Sequence, residues 1–173
     1  EKQRFVKANR IRLRVPIILV FVILILSKTG FSQTTFFSDA DIFMKTYVLN
    51  GKVNYALIKD NSASLKNLEK QIKEFPLTDE IGDRNKAFYI NAYNVLVIKQ
   101  VIDNYPINSP MDIPGFFEST KFNVALSQVT LNQIENEILR PTYNDPRFHF
   151  VLVCGAVGCP PITNFAYNPE TLD

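Results

Sequence analysis

The stretch RFHFVLVCGAVGCPP, Arg147 to Pro161, contains the single histidine and both cysteines of this 173-residue chain. Those residue types admit three chemistries. A thiolate is a nucleophile and an imidazole is a base that titrates near neutral pH, so Cys154 or Cys159 with His149 would suit acyl transfer from an amide or ester. Glu135 would then orient the histidine, and the backbone N–H groups of the glycine turn would stabilise the thiolate and bind an oxyanion nearby. Two thiols separated by four residues in such a turn equally suit a disulfide, which would close a very short loop and mainly shape it. Glu135, His149, Cys154 and Cys159 are also four ligand types that zinc accepts, although the cysteine spacing is long and no second histidine exists. FHFVLV is rich in aromatic and β-branched residues, which predicts a core strand. Alternation along that strand separates His149 from Cys154, so a direct pair needs a twist or bulge at the strand end.

These residues need a scaffold. The run NKAFYINAYNVLVIKQVIDNY is apolar nearly all round and predicts a buried central helix from near Asp83 to Tyr105, ended by Pro106. Asn91 and Asn94 stand at i and i+3 on one face of it. Two buried amides are costly unless fully hydrogen-bonded, so they either fix the fold through a polar network or orient a catalytic histidine or a substrate. Ser38 is expected to cap a helix that Gly51 stops, and VNYALIK reads as an extended linker. SLKNLEKQIKEF carries Leu65, Leu68, Ile72 and Phe75 on one stripe. SPMDIPGFFES reads as a loop and FNVALSQVTL as a short hairpin or strand. Thr130 with Gln133 forms a capping box at the start of TLNQIENEILR, whose end Pro141 follows. In that helix Glu135 is either solvated, paired with Arg140 or Arg147, or turned towards His149 to set its tautomer. Asn168 followed by Pro169 reads as a helix N-cap. Helices followed by strands indicate an α+β class: a compact single domain with a buried central helix packed on a small, mainly antiparallel sheet.

Three of these motifs, AFYINAYNVLVIKQVI, TLNQIENEILR and RFHFVLVCGAVGCPP, resemble in order and spacing the family known as domain of unknown function 547. GKVNYALIK fits that family's opening. The resemblance spans about 51–173 and touches Asn91, Tyr93, Asn94, Glu135, Arg140, Arg147, His149, Cys154, Cys159 and Pro160. It implies that the chain stops short of the family's usual C-terminus; from the residues themselves, Arg147 and the two asparagines are candidate substrate-binding or orienting groups. It implies no mechanism.

The first fourteen residues carry six basic side chains, and VPIILVFVILIL follows from Val15 to Leu26. A basic segment before a short apolar core reads as a signal peptide over residues 1–32, cleaved before Gln33, and so as export to a periplasmic or extracellular space. The mature chain then comprises an N-terminal helix over 33–50 and the main domain over 51–173. Without the leader, acidic residues outnumber basic ones by four, which argues against a nucleic-acid partner. Membrane contact is expected only through an uncleaved leader, and the substrate is unknown. The reading carried forward is a thiol-dependent hydrolase or transferase with no cofactor. Beside it stand a non-catalytic extracytoplasmic binding or structural domain with a Cys154–Cys159 disulfide and, third, a zinc site.

Overall fold

A computed structural model describes residues 28–155 and 158–172. The expected leader lies outside the described residues up to position 27. Among the described residues no helix is long and apolar enough to cross a membrane.

Helix α1 spans Lys28–Tyr47 and runs through Ser38 instead of starting there. Its buried residues Phe36, Ala40, Phe43, Met44 and Tyr47 recur at helical spacing and face the core. The chain then turns in a two-residue hairpin. Strand β1 (Val48–Leu49) pairs antiparallel with β2 (Lys52–Val53), with Val48 opposite Val53 and Leu49 opposite Lys52. Asn50 and Gly51 form the turn with φ of 50° and 72°, the two positive values that match the right-handed twist of the flanking strands. The expected linker is therefore β2 followed by helix α2 (Tyr55–Asp60), whose first turn is capped by the Asn54 side chain accepting from the Leu57 N–H. Helix α3 (Ala63–Glu74) buries Leu65, Leu68 and Ile72 as its stripe predicts.

The central helix α4 spans Asp83–Asp103, and sixteen of its 21 residues are buried, so its all-round apolar pattern reflects enclosure on every side. Phe75 stacks on Phe88 with ring centroids 3.8 Å apart, and Phe36 meets both edge-on. The loop after α4 contains a short 3₁₀ turn, Pro110–Asp112, with a Ser109 capping box.

Strands β3 (Phe122–Val124) and β4 (Ser127–Val129) form a second antiparallel hairpin, so the α+β fold carries its strands as two separate pairs. Its turn residues, Ala125 and Leu126, take φ of 47° and 66° without being glycine or asparagine. That strain persists because their N–H groups cap α3, donating to the carbonyls of Ile72 and Lys73 at 2.9 Å each. Leu126→Gly should relieve the strain at an exposed position and raise stability by about 1 kcal/mol, measured as a higher urea midpoint with unchanged slope.

Thr130 and Gln133 form the expected capping box at the start of α5 (Leu131–Gln133). The helix then widens into a π-helical stretch, Ile134–Leu139, before α6 (Arg140–Tyr143). Pro141 is thus inside α6 and does not follow the helix. It has no N–H to give, and its ring would crowd the preceding turn of a regular α-helix; the wide turn immediately before it makes room. The expected strand FHFVLV is absent. Phe148–Val151 form a one-turn helix, α7, because Asp145 and Pro146 open a turn that sends Phe148 inward and leaves His149 and Phe150 exposed. From Leu152 to Asn168 the described chain has no regular structure and runs back across α4. A 3₁₀ turn, Pro169–Thr171, ends it, with Asn168 capping the Glu170 N–H at 3.0 Å as its sequence predicts.

Candidate functional site

The face of α4 that carries Asn91 and Asn94 organises the site. Asn94 is 3% exposed. Its Nδ2 donates to the Val151 carbonyl at 2.9 Å, and its Oδ1 accepts from the Val153 N–H at 3.1 Å. Asn91 repeats the arrangement one turn earlier. Its Nδ2 donates to the carbonyls of Tyr167 at 2.8 Å and Ala87 at 2.9 Å, and its Oδ1 accepts from the Tyr167 N–H at 2.9 Å. Each amide thus pairs with peptide groups as a neighbouring strand would, and since the oxygen and the nitrogen of both are bonded, they can be buried. Together they pin the irregular segment Val153–Tyr167 to the helix at both ends.

Between those pins lies the Cys154–Cys159 disulfide, with Cα atoms 6.0 Å apart. In the bridged state neither sulfur is a thiolate. Gly155, at φ of 69°, seats this loop on α4: a Cβ there would lie 3.1 Å from Pro110 and 3.7 Å from Val97.

Cys159 of the bridge lies in one wall of a cleft of about 540 Å³. Val97, Ile98, Val153 and Ile162 supply its apolar lining, Cys159, Pro160 and Pro161 one side, and the β1–β2 hairpin with Tyr55 the other. Gly51 is fitted to it, since an ideal Cβ there would sit 2.6 Å from the Pro161 Cβ. Gly51→Ala combines this clash with a left-handed φ and should cost about 2 kcal/mol, measured by thermal unfolding.

His149 does not line the cleft. It lies exposed on α7, its ring edge-on to that of Phe150 at 5.3 Å. Glu135 lies in the π-helical stretch and takes two hydrogen bonds from Arg140, from Nε at 3.1 Å and Nη2 at 2.6 Å. Its other oxygen meets the Tyr93 hydroxyl at 3.5 Å, and burial, then the adjacent carboxylate, push the Tyr93 phenol well above its ordinary value. Arg147 forks onto Asp145, which also accepts from Lys86 at 2.6 Å. The structure therefore brings the two cysteines together and binds the two asparagines to that segment's backbone. Glu135 is placed with Arg140 and Tyr93, and Arg147 with Asp145. Among the described residues no three His, Cys, Asp or Glu side chains converge as metal ligands.

A protein-family model described as Protein of unknown function, DUF547, matches residues 78–173. The chain belongs to the DUF547 family. No curated protein and no solved structure matches it. The DUF547 match covers the central helix, the π-helical stretch and the bridged segment, and so most of the cleft wall. It begins after the β1–β2 hairpin that completes that wall. Lys52, Val53, Tyr55 and the α4 positions Val97 and Ile98 are among the cleft residues that reactive residue types did not single out. The signals for them were the Asn50-Gly51 turn and the Pro160-Pro161 pair. A second hollow of about 570 Å³ lies between α1 and Tyr167, and its Arg84 and Asp41 side chains are already engaged. There Arg84 donates to Pro76 and Asn85, and Asp41 accepts from Lys45 and the Ala166 N–H.

Proposed function

We propose that this domain is a non-catalytic extracytoplasmic binding module in which the Cys154–Cys159 bridge holds one wall of the cleft on α4. The observation that carries this reading is the position of the bridge. It joins two residues in a segment that Asn91 and Asn94 already pin at both ends, and Cys159 lies directly in the cleft wall. A bridge so placed sets the shape of a concave, mainly apolar surface, the form that ligand sites take. Export, suggested by the basic and apolar N-terminal segment, would supply the oxidising surroundings in which such a bridge persists. His149 is exposed on α7 and does not line the cleft with Cys159, which favours this reading over a thiol-dependent hydrolase or transferase.

The test is intact mass spectrometry on the full-length protein purified without reductant, with and without an alkylating reagent. The expected result is a mass lower by two thiol hydrogens and no alkylation until the protein is unfolded and reduced. One thiol that alkylates rapidly near neutral pH, and ceases to do so in His149→Ala, would overturn the proposal in favour of nucleophilic chemistry on an amide or ester. Retained zinc would overturn both.

A further inference from the structure

One edge of the cleft is chemically unfinished. The hairpin register, with Leu49 opposite Lys52 next to the turn and the Asn54 N–H donating to the Tyr47 carbonyl at 2.8 Å, places the exchanged hydrogen bonds at those two pairs. Val53, between them, is a non-bonded position, so its N–H and C=O point away from β1. Neither group has a hydrogen-bond partner among the described residues. Val53 itself lines the cleft. The proline pair Pro160-Pro161 in the same cleft has no N–H to offer, so these two residues cannot donate to the Val53 carbonyl.

Charge adds a second constraint. Lys52 is the one charged side chain among the residues lining this cleft, and no carboxylate lines it. The remaining wall is apolar apart from Asn50, Tyr55 and the loop backbone. An occupant that answers all of these features has an extended backbone to pair with Val53, an aliphatic side chain for the surface of Val97, Ile98 and Ile162, and a negative charge near Lys52.

Resting on the binding-module reading, we infer that the cleft takes an extended, apolar peptide segment of a partner protein. It adds as a third strand on β2 at Val53 and carries an acidic side chain or terminal carboxylate over Lys52. A fatty-acid-like anion would answer Lys52 and the apolar surface and leave the strand edge unpaired, which makes the backbone pairing the feature to test.

The experiment uses the full chain with its bridge verified by intact mass. Fluorescence anisotropy is measured with six labelled hexapeptides of alternating valine and threonine, each bearing one glutamate at a different position. At least one should bind saturably. N-methylation of its alternate amides, one of which pairs with the Val53 carbonyl, should weaken binding about fivefold, since one lost hydrogen bond is a factor of about five. Lys52→Glu, an exposed substitution outside the core, should weaken the acidic peptide about tenfold and leave its glutamine counterpart nearly unchanged. Equal binding of the N-methylated peptide, saturable binding of dodecanoate alone, or no saturable peptide binding to the bridged protein would each overturn the inference and leave the binding-module reading standing. Free, reactive thiols in the same preparation would remove that reading itself.

Discussion

Replacement of Asn94 by alanine is expected to destabilise the fold by about 3 kcal/mol, because two peptide groups lose their partner at once. The Val151 carbonyl and the Val153 N–H both bond to this amide, at 2.9 and 3.1 Å. A buried backbone group left unpaired costs about 1–3 kcal/mol, and truncation adds a small cavity beside α4. Leucine at the same position keeps the volume and removes the bonds, so Asn94→Leu should also be destabilised. Aspartate keeps the acceptor for Val153, loses the donor to Val151 and places a charge in the interior, so it should fare no better. Urea unfolding read by circular dichroism measures all three. If Asn94→Leu unfolds at the wild-type midpoint, the clip contributes nothing net and the irregular segment is held by packing alone.

The second large effect is expected at Asp145. Its carboxylate meets the Lys86 ammonium at 2.6 Å, with side chains only 10% and 11% exposed, and Lys86 lies 5.8 Å and 5.7 Å from the ring centroids of Tyr143 and Phe148. Asp145→Ala leaves that ammonium enclosed among rings with no counter-charge and should cost about 3–5 kcal/mol. A loss of this size could unfold the chain at neutral pH, so the informative partner is the double variant Lys86→Met with Asp145→Leu. Removing both charges should recover most of the stability, as is usual when a buried pair is replaced by apolar groups. Failure of that recovery would mean that packing around α6 and α7, and not charge, set the loss.

The same carboxylate makes stability depend on acid. Hydrogen bonds from Arg147 and then Lys86 hold Asp145 well below its ordinary 3.8. The unfolded chain therefore takes up this proton at a higher pH than the folded one. The contribution is present in full above the ordinary value and is lost as the pH falls from there towards the depressed folded value. Urea midpoints followed downward through about pH 4 should fall in the wild type with a component that the double variant lacks. Parallel curves would show that other carboxylates carry the acid sensitivity.

Much of the scaffold was legible because its signals are local. An apolar run of five turns, a stripe at helical spacing and a Thr130–Gln133 box can each be read within a short window, and each is found in place. The cysteine pair was legible as one of three options, since spacing permits a bridge without requiring it. FHFV misled because aromatic and β-branched content describes a fit to a pleated surface, and among the described residues no neighbouring strand offers one. The turn at Asp145 and Pro146 decides the conformation instead. Asn50-Gly51 carried a strong hairpin signal that a helix-stop reading of Gly51 obscured. The Lys86–Asp145 pair joins residues 59 apart and leaves no pattern in either segment. Glu135 and Arg140 are five apart, a spacing that a regular α-helix does not bring together and that the π-helical turn does.

The two asparagine clips also order events in time. The ribosome finishes α4 well before it reaches the groups that answer its amides: Val153 lies 59 residues beyond Asn94, and Tyr167 lies 76 beyond Asn91. A nascent chain paused between them exposes a long apolar helix whose amides lack their distant partners, and no amount of waiting lets it close. A later-made stretch therefore locks an earlier-made core, and a chain stalled before Tyr167 would present that core to chaperones and quality-control proteases.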